Sequence, residues 1–353
     1  MEAIRSLIRG DLSPAGNKIS VVRDSQKFDY AIDGYDASWV NSGTSALALA
    51  LLDARQKAKS IVNPKVIIPG YCCPDLVAAA VYAGVKPLVV DICVNDASYD
   101  LDALSASLSD ENIVAVIAVN FLGIKERLED IKKIIAHKPI KIIEDNAQWF
   151  PESKDQHQFA GDYVLFSFGR GKPLSLLGGG VLFSKEPLLV SDIILQDEPN
   201  AKKQLIKTRL YNILLNPHFY CYLNRAPFLR LGETHYHQHD KIATLGSFQK
   251  DVFNHNLLRY EARNNDIEQD YKKLFTFLLS WCVTKSNVNM TCALVNTFCN
   301  THSTSSDTLH NDPLVYFNVS YNESTKVSAK YCCICCCTLY KLLDRFCCTL
   351  WHV

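Results

Sequence analysis

KVIIPGYCCPDLVAAAVYAGVKPLVVDI, Lys65–Ile92, is the stretch on which the fold class turns. KVIIP (Lys65–Pro69) is a short apolar run ending in a breaker, and KPLVVDI (Lys86–Ile92) is another, ending in an acid. Both are continuously apolar rather than alternating, which suits strands buried on both faces. Between them, Asp75–Ala83 has helical length and amphipathic spacing. A strand, a helix and a strand joined by short connections make a right-handed crossover between parallel strands.

The pattern repeats outward. IVAVIAVN (Ile113–Asn120), IKIIEDN (Ile140–Asn146), YVLFSFG (Tyr163–Gly169) and GGVLFS (Gly179–Ser184) read as further strands. Thr44–Lys59, Leu101–Leu108 and Lys125–Ala136 read as helices. From Leu205 to Phe275 the pattern is mainly helical, with a polar interruption at Gly232–Lys241 and a charged amphipathic helix at Arg259–Phe275. The expectation is an α/β fold: a mostly parallel sheet flanked by helices, plus a helix-rich, atypical C-terminal part. Such a sheet places ligand chemistry at the carboxyl ends of its strands.

The 353 residues would allow two or three domains. With 48% hydrophobic and 21% charged residues, the composition is that of an ordinary soluble protein. Lys+Arg and Asp+Glu are 37 each, so no net charge points to nucleic acid or to an acidic membrane. No apolar run reaches the roughly 18 residues of a spanning helix, and the N-terminal stretch lacks a signal-like apolar core. A cytoplasmic protein that binds something small is expected. Ten of the 14 cysteines lie between Cys282 and Cys348, while all 15 glycines lie at or before Gly246. The chain therefore changes character between Leu274 and Lys285. The expected division is a large domain at 1–240, the start of a helical small domain at 241–281, and an atypical Cys-rich tail at 282–353. That tail reads as a diverged terminus or as a stretch translated out of frame.

Three motifs could carry chemistry. In NSGTSALALALL (Asn41–Leu52), Gly43 permits close backbone approach, and Thr44 and Ser45 offer hydroxyls at a helix N-terminus. Free N–H groups there make an anion cradle, or simply an ordinary N-cap. In IIEDNAQ (Ile142–Gln148), Asp145 ends a buried strand. It could hold a protonated ring nitrogen or a metal, or form a turn. In FSFGRGKPLSLLGGG (Phe166–Gly180), a strand delivers Ser167 and then a Gly-flanked Lys172. Such a lysine can be an amine nucleophile, a phosphate contact or a solvated surface group. Walker spacing fails, because Pro173 follows the lysine. An anion cradle, a strand-end acid and a later loop lysine, in that order, are what pyridoxal phosphate needs.

GTSALALALL (Gly43–Leu52), the stretch Val66–Ile92, YDLDAL (Tyr99–Leu104), IIEDNAQ, SFGRGK and the following GGG together resemble the DegT/DnrJ/StrS sugar aminotransferases. These are fold-type-I pyridoxal-phosphate enzymes. The resemblance covers about Asp29–Ser184, and Arg259–Phe275 less clearly. It implies that Lys172 forms the aldimine with the cofactor and that Asp145 pairs with the pyridine nitrogen. It implies that Gln148 contacts the ring hydroxyl, and that Gly43, Thr44, Ser45 and Ser167 bind the phosphate. The family's stacking aromatic falls in PGYCCPD, where Tyr71, Cys72 or Cys73 must serve, with Tyr71 the expected contact. The family's HxYG reads Asn120-Phe121-Leu122-Gly123 here, and LLGGG lacks the glutamate common before the glycines. Relatives that act as dehydratases replace the lysine with histidine.

The resemblance further implies a homodimer, an amino-acid donor (glutamate) and a nucleotide-linked keto-sugar acceptor. The alternative is a non-catalytic member serving as a cofactor- or sugar-binding sensor or scaffold. No metal is expected. His235, His237 and His239 alternate, but no further ligand is suitably spaced, so a solvated loop is expected. The adjacent cysteines of Tyr331–Cys337 lack C-x₂₋₄-C zinc spacing.

Overall fold

A computed structural model describes residues 16–23, 30–93, 96–151, 159–197, 199–216, 219 and 236–263. Seven strands form one sheet: β1 (Asp36–Val40), β2 (Lys65–Pro69), β3 (Lys86–Val90), β4 (Ile113–Val119), β5 (Lys141–Asp145), β6 (Tyr163–Ser167) and β7 (Gly180–Ser184). Their spatial order is β1-β7-β6-β5-β4-β2-β3. Only β7 runs against the rest, antiparallel to both β1 and β6. The expected α/β class with a mostly parallel sheet is what the chain adopts.

The helices are α1 (Gly43–Lys57), α2 (Pro74–Tyr82), α3 (Leu101–Ser107), α4 (Leu128–Ile135) and α5 (Ala201–Leu214). Residues 247–263 are also helical. Both faces of the sheet are apolar, which explains the continuous strand runs. Val66 and Ile68 face one core cluster with α1 and α2, while Ile67 faces another with α3 and α4. Tyr163 and Leu165 join the α1 side, whereas Val164 and Phe166 meet Phe248, Val252 and Phe253. Strand-to-face alternation thus splits one hydrophobic run between two layers.

Six strands lie where the sequence places them; β1 had no sequence signal. DASWV buries only Val40 fully and is an edge strand, so its burial leaves no period. One compact unit holds the described residues up to Tyr260, and a second begins at Glu261. The division expected after residue 240 therefore falls within the first unit, whose core includes Ile242, Phe248, Phe253 and Leu257. The tail at 282–353, with its cysteines, lies outside the described residues, as does most of the helix expected at Arg259–Phe275.

Candidate active site

The carboxyl ends of β5 and β6 and the start of β7 meet at one sheet edge, because β7 is reversed. Ser167 pairs with Gly180, and Val40 pairs with the same glycine. Into this edge β5 delivers Asp145, which is 5% exposed. One of its oxygens accepts the Ala147 N–H at 2.9 Å; the other accepts no hydrogen bond among the described residues. Burial pushes this carboxyl above its usual range, and the nearby Lys172 ammonium partly opposes that. A buried carboxylate with one free oxygen calls for a cationic N–H donor. Lys172 lies half-buried in the turn after β6, its own N–H donating to the Gly169 carbonyl at 3.3 Å.

The cradle is the start of α1. Ser42 caps the helix: its Oγ accepts the Ser45 N–H at 3.0 Å and its carbonyl accepts the Ala46 N–H at 3.1 Å. The Gly43 N–H is directed at the Gly179 carbonyl by the parallel bridge between Ser42 and Gly179, whereas the Thr44 N–H has no partner among the described residues. It lies at the positive end of the helix dipole, where an anion is favoured. A Cβ on Gly43 would lie 2.6 Å from Ser167 Cβ and 2.7 Å from Ser167 Oγ. Glycine thus leaves a notch in which the main chain and the Ser167 hydroxyl come together. The later glycine run serves the same turn: Gly179 donates its N–H to the Asn41 carbonyl at 2.8 Å, and a Cβ on Gly180 would lie 2.6 Å from the Ser42 carbonyl.

Ser45 departs from expectation. Its residue is 0% exposed, and its Oγ donates to Asn41 Oδ1 at 2.6 Å. Its hydroxyl therefore points inward and braces the turn rather than offering itself to an anion. His239, expected in a solvated loop, is half-buried and reaches this brace, with Nε2 at 3.3 Å from Ser45 Oγ. Ser45 Oγ also lies 2.9 Å from Ser42 Oγ, so it sits at the centre of the brace between the helix start and His239. Its ring meets Tyr82 edge-on at 4.8 Å, and desolvation lowers its pKa. The signal missed in the sequence was the segment after it: Asn41 donates its N–H to the Ala243 carbonyl, and Thr244 bridges Val40. His237 is exposed, as a loop residue would be, and His235 lies outside the described residues.

The other expected residues stand around this centre. Gln148, just beyond Asp145, is half-buried. Tyr71 is 70% exposed and its ring lies on Phe121, centroids 5.7 Å apart. Asn120 is buried, donates from Nδ2 to Asn146 Oδ1 at 2.7 Å, and accepts the Glu126 N–H at 2.8 Å. It therefore knits the end of β4 to that of β5 instead of facing solvent. Among the described residues, no three potential metal ligands come together, and no helix is long and apolar enough to cross a membrane.

The profile of the DegT/DnrJ/EryC1/StrS aminotransferase family matches residues 23–215. A Campylobacter jejuni UDP-4-amino-4,6-dideoxy-N-acetyl-beta-L-altrosamine transaminase is 24% identical over 281 residues, 77% of this chain and 67% of that protein. A Yersinia pseudotuberculosis GDP-4-keto-6-deoxy-D-mannose 3-dehydratase is 28% identical over 53% of this chain and 48% of its own length. Among solved structures, the apo form of a Streptococcus pneumoniae protein named for sugar aminotransferase activity has a TM-score of 0.47 at 18% identity, covering 77% of this chain and 67% of that one. A GDP-4-keto-6-deoxymannose-3-dehydratase structure matches with a TM-score of 0.38 at 22% identity; this chain spans only 40% of its length.

Proposed function

Because this chain belongs to the DegT/DnrJ/EryC1/StrS aminotransferase family, we propose that it transfers an amino group from an amino acid, glutamate, to a nucleotide-linked keto-sugar with pyridoxal phosphate as cofactor. The observation that carries this reading is the joint placement of Lys172, Asp145 and the Gly43–Ser167 notch at one sheet edge. The residues fit the group. The free Thr44 N–H at the helix start and the Ser167 hydroxyl beside Gly43 suit its phosphate, and the open oxygen of Asp145 suits its protonated ring nitrogen. Lys172 supplies an amine for its aldehyde.

When bound, pyridoxal phosphate supplies that aldehyde and an electron-withdrawing ring. Thr44 would hold the phosphate through its N–H, joined by the Ser167 hydroxyl, and Gly43 would let the main chain approach it, while Ser45 and His239 brace the turn. Asp145 would accept the ring N–H and keep that proton in place. Gln148 would reach the ring hydroxyl, and Tyr71 stands at the rim with Phe121. Lys172 Nζ would hold the cofactor and would move the proton at the donor Cα as general acid–base. Lys172 favours transamination over the dehydration named for some relatives. A purely binding protein would have no use for both Lys172 and Asp145.

The test is covalent. Borohydride treatment of cofactor-saturated protein should fix a pyridoxyl label on Lys172, located by peptide mass spectrometry. A label on another lysine, or none, refutes the assignment.

A further inference from the structure

β4 and β5 run side by side in parallel with Val119 opposite Asp145, so the residues that follow them, Asn120 and Asn146, leave the sheet together beside the candidate site. Asn120 is 3% exposed and Asn146 0%. Asn120 fills the position at which the family's HxYG carries histidine. Its N–H donates to the Asp145 carbonyl at 3.0 Å, its Oδ1 accepts the Glu126 N–H at 2.8 Å, and its Nδ2 donates to Asn146 Oδ1 at 2.7 Å. The Nδ2 of Asn146 is buried with no partner among the described residues.

We propose that Asn120 and Asn146 form a positioning pair that aims the free oxygen of Asp145 at the ring nitrogen of the cofactor. The assignment rests on the cofactor reading above and deepens it. Asp145 is oriented by the Ala147 N–H, which holds one carboxylate oxygen at 2.9 Å and leaves the other open. That N–H comes directly after Asn146, so its direction is set by the way the chain turns at Asn146. Three hydrogen bonds fix the turn: the Asn146 N–H donates to the Leu165 carbonyl at 3.0 Å, the Asn146 carbonyl accepts the Trp149 N–H at 3.1 Å, and the Asn146 side chain accepts from Asn120 at 2.7 Å. The first two are made by main chain, which any residue supplies except proline at the N–H. The third needs a side-chain acceptor at Asn146 and a donor at Asn120.

The chemistry of the pair supports a role beyond packing. The Glu126 N–H fixes which end of the Asn120 amide is the acceptor, so its Nδ2 faces Asn146, and Asn146 must present its oxygen. The Asn146 Nδ2 is then left as a buried donor without an acceptor, which opposes folding. Leucine in place of Asn146 would exchange that orphan for another, Asn120 Nδ2, and add apolar burial. The fold has little to lose by the exchange, while the turn that aims Asp145 loses its side-chain anchor.

The full chain carrying Asn146→Leu is titrated with pyridoxal phosphate and with its deaza analogue, in which carbon replaces the ring nitrogen and leaves Asp145 nothing to hold. Binding is followed by absorbance, thermal melting checks the fold, and borohydride labelling of the wild type locates the cofactor. Asn146→Leu should bind pyridoxal phosphate on the order of tenfold more weakly than wild type, the worth of one hydrogen bond to a charged group, and should bind the deaza analogue as wild type does. Placed on Asp145→Asn, the same substitution should cost nothing further. An equal loss for both ligands, or no loss for either, overturns the proposal and leaves the cofactor assignment standing. If Asn146→Leu does not fold, Asn120→Ser, which removes the same hydrogen bond from the other side, is read by the same comparison. If the wild type takes no label on Lys172, or binds the deaza analogue as tightly as pyridoxal phosphate, the cofactor assignment fails and this proposal with it.

Discussion

Asp145 shows how burying a single carboxyl can oppose folding. Its pKa is raised by burial, so the folded chain holds that proton more tightly than the unfolded chain. Its contribution to stability is complete below the unfolded value of about 3.9 and is lost as pH rises through the folded value. In cofactor-free protein, Asp145→Asn should therefore melt higher than wild type at pH 8, and the gain should vanish below about pH 4. The same variant should lose on the order of 10²-fold or more in the glutamate half-reaction while keeping some cofactor. A variant that turns over normally would remove Asp145 from its proposed role. At His239, a glutamine can still hydrogen-bond to Ser45 Oγ, while a phenylalanine cannot. One lost hydrogen bond is worth about 1 kcal/mol, so His239→Phe should weaken cofactor binding roughly fivefold and His239→Gln less. Equilibrium titration of the two variants checks this.

At the scale of elements, α1 works at both ends. Its start makes the cradle and its end is pinned to the sheet. The Asp53 side chain is fully buried, accepting Tyr163 OH at 2.5 Å and the Leu189 N–H at 2.6 Å, with Lys57 Nζ at 2.9 Å. Lys57 also meets Glu186 at 2.9 Å. Asp53→Ala leaves the buried Tyr163 hydroxyl and the Leu189 N–H without their acceptor, while Lys57 keeps Glu186. It should cost about 1–3 kcal/mol, the usual penalty for an unsatisfied buried donor; urea unfolding measures it. At the other end, Gly43→Ala has no φ problem, but its methyl would meet Ser167. The helix start must shift, costing about 1–3 kcal/mol and loosening the phosphate notch. A cofactor affinity unchanged in Gly43→Ala would show that the notch does not hold the phosphate.

Across the whole molecule, α5 presents two unlike faces. Thr208 is buried, and Asn212 donates to and accepts from Ile19 at 2.7 and 2.8 Å. Ile206, Leu210 and Ile213, one helical face, are each more than half exposed. That stripe supports the proposed homodimer, since two-fold pairing is the commonest way for such a face to be covered. Sedimentation should give a dimer for the wild type and a folded monomer for Leu210→Asp. A wild-type monomer with full activity would overturn the assignment.

The amino-acid sequence alone determined the α/β class, because strands buried on both faces must be continuously apolar and are therefore conspicuous. It also determined the order of cradle, acid and lysine, because each is a local motif anchored to a strand end or helix start. Edge strand β1 left no trace, since Val40 is its one fully buried residue. The sequence could not show which hydroxyl of the cradle turns inward: Ser45 is committed by Asn41 on one side and by His239, 194 positions away, on the other. Nor could it show that the Tyr71 ring lies against Phe121, 50 positions further along the chain. Burial periodicity is written along the chain, whereas the direction of a polar side chain is set by partners that only the folded sheet brings within hydrogen-bonding distance.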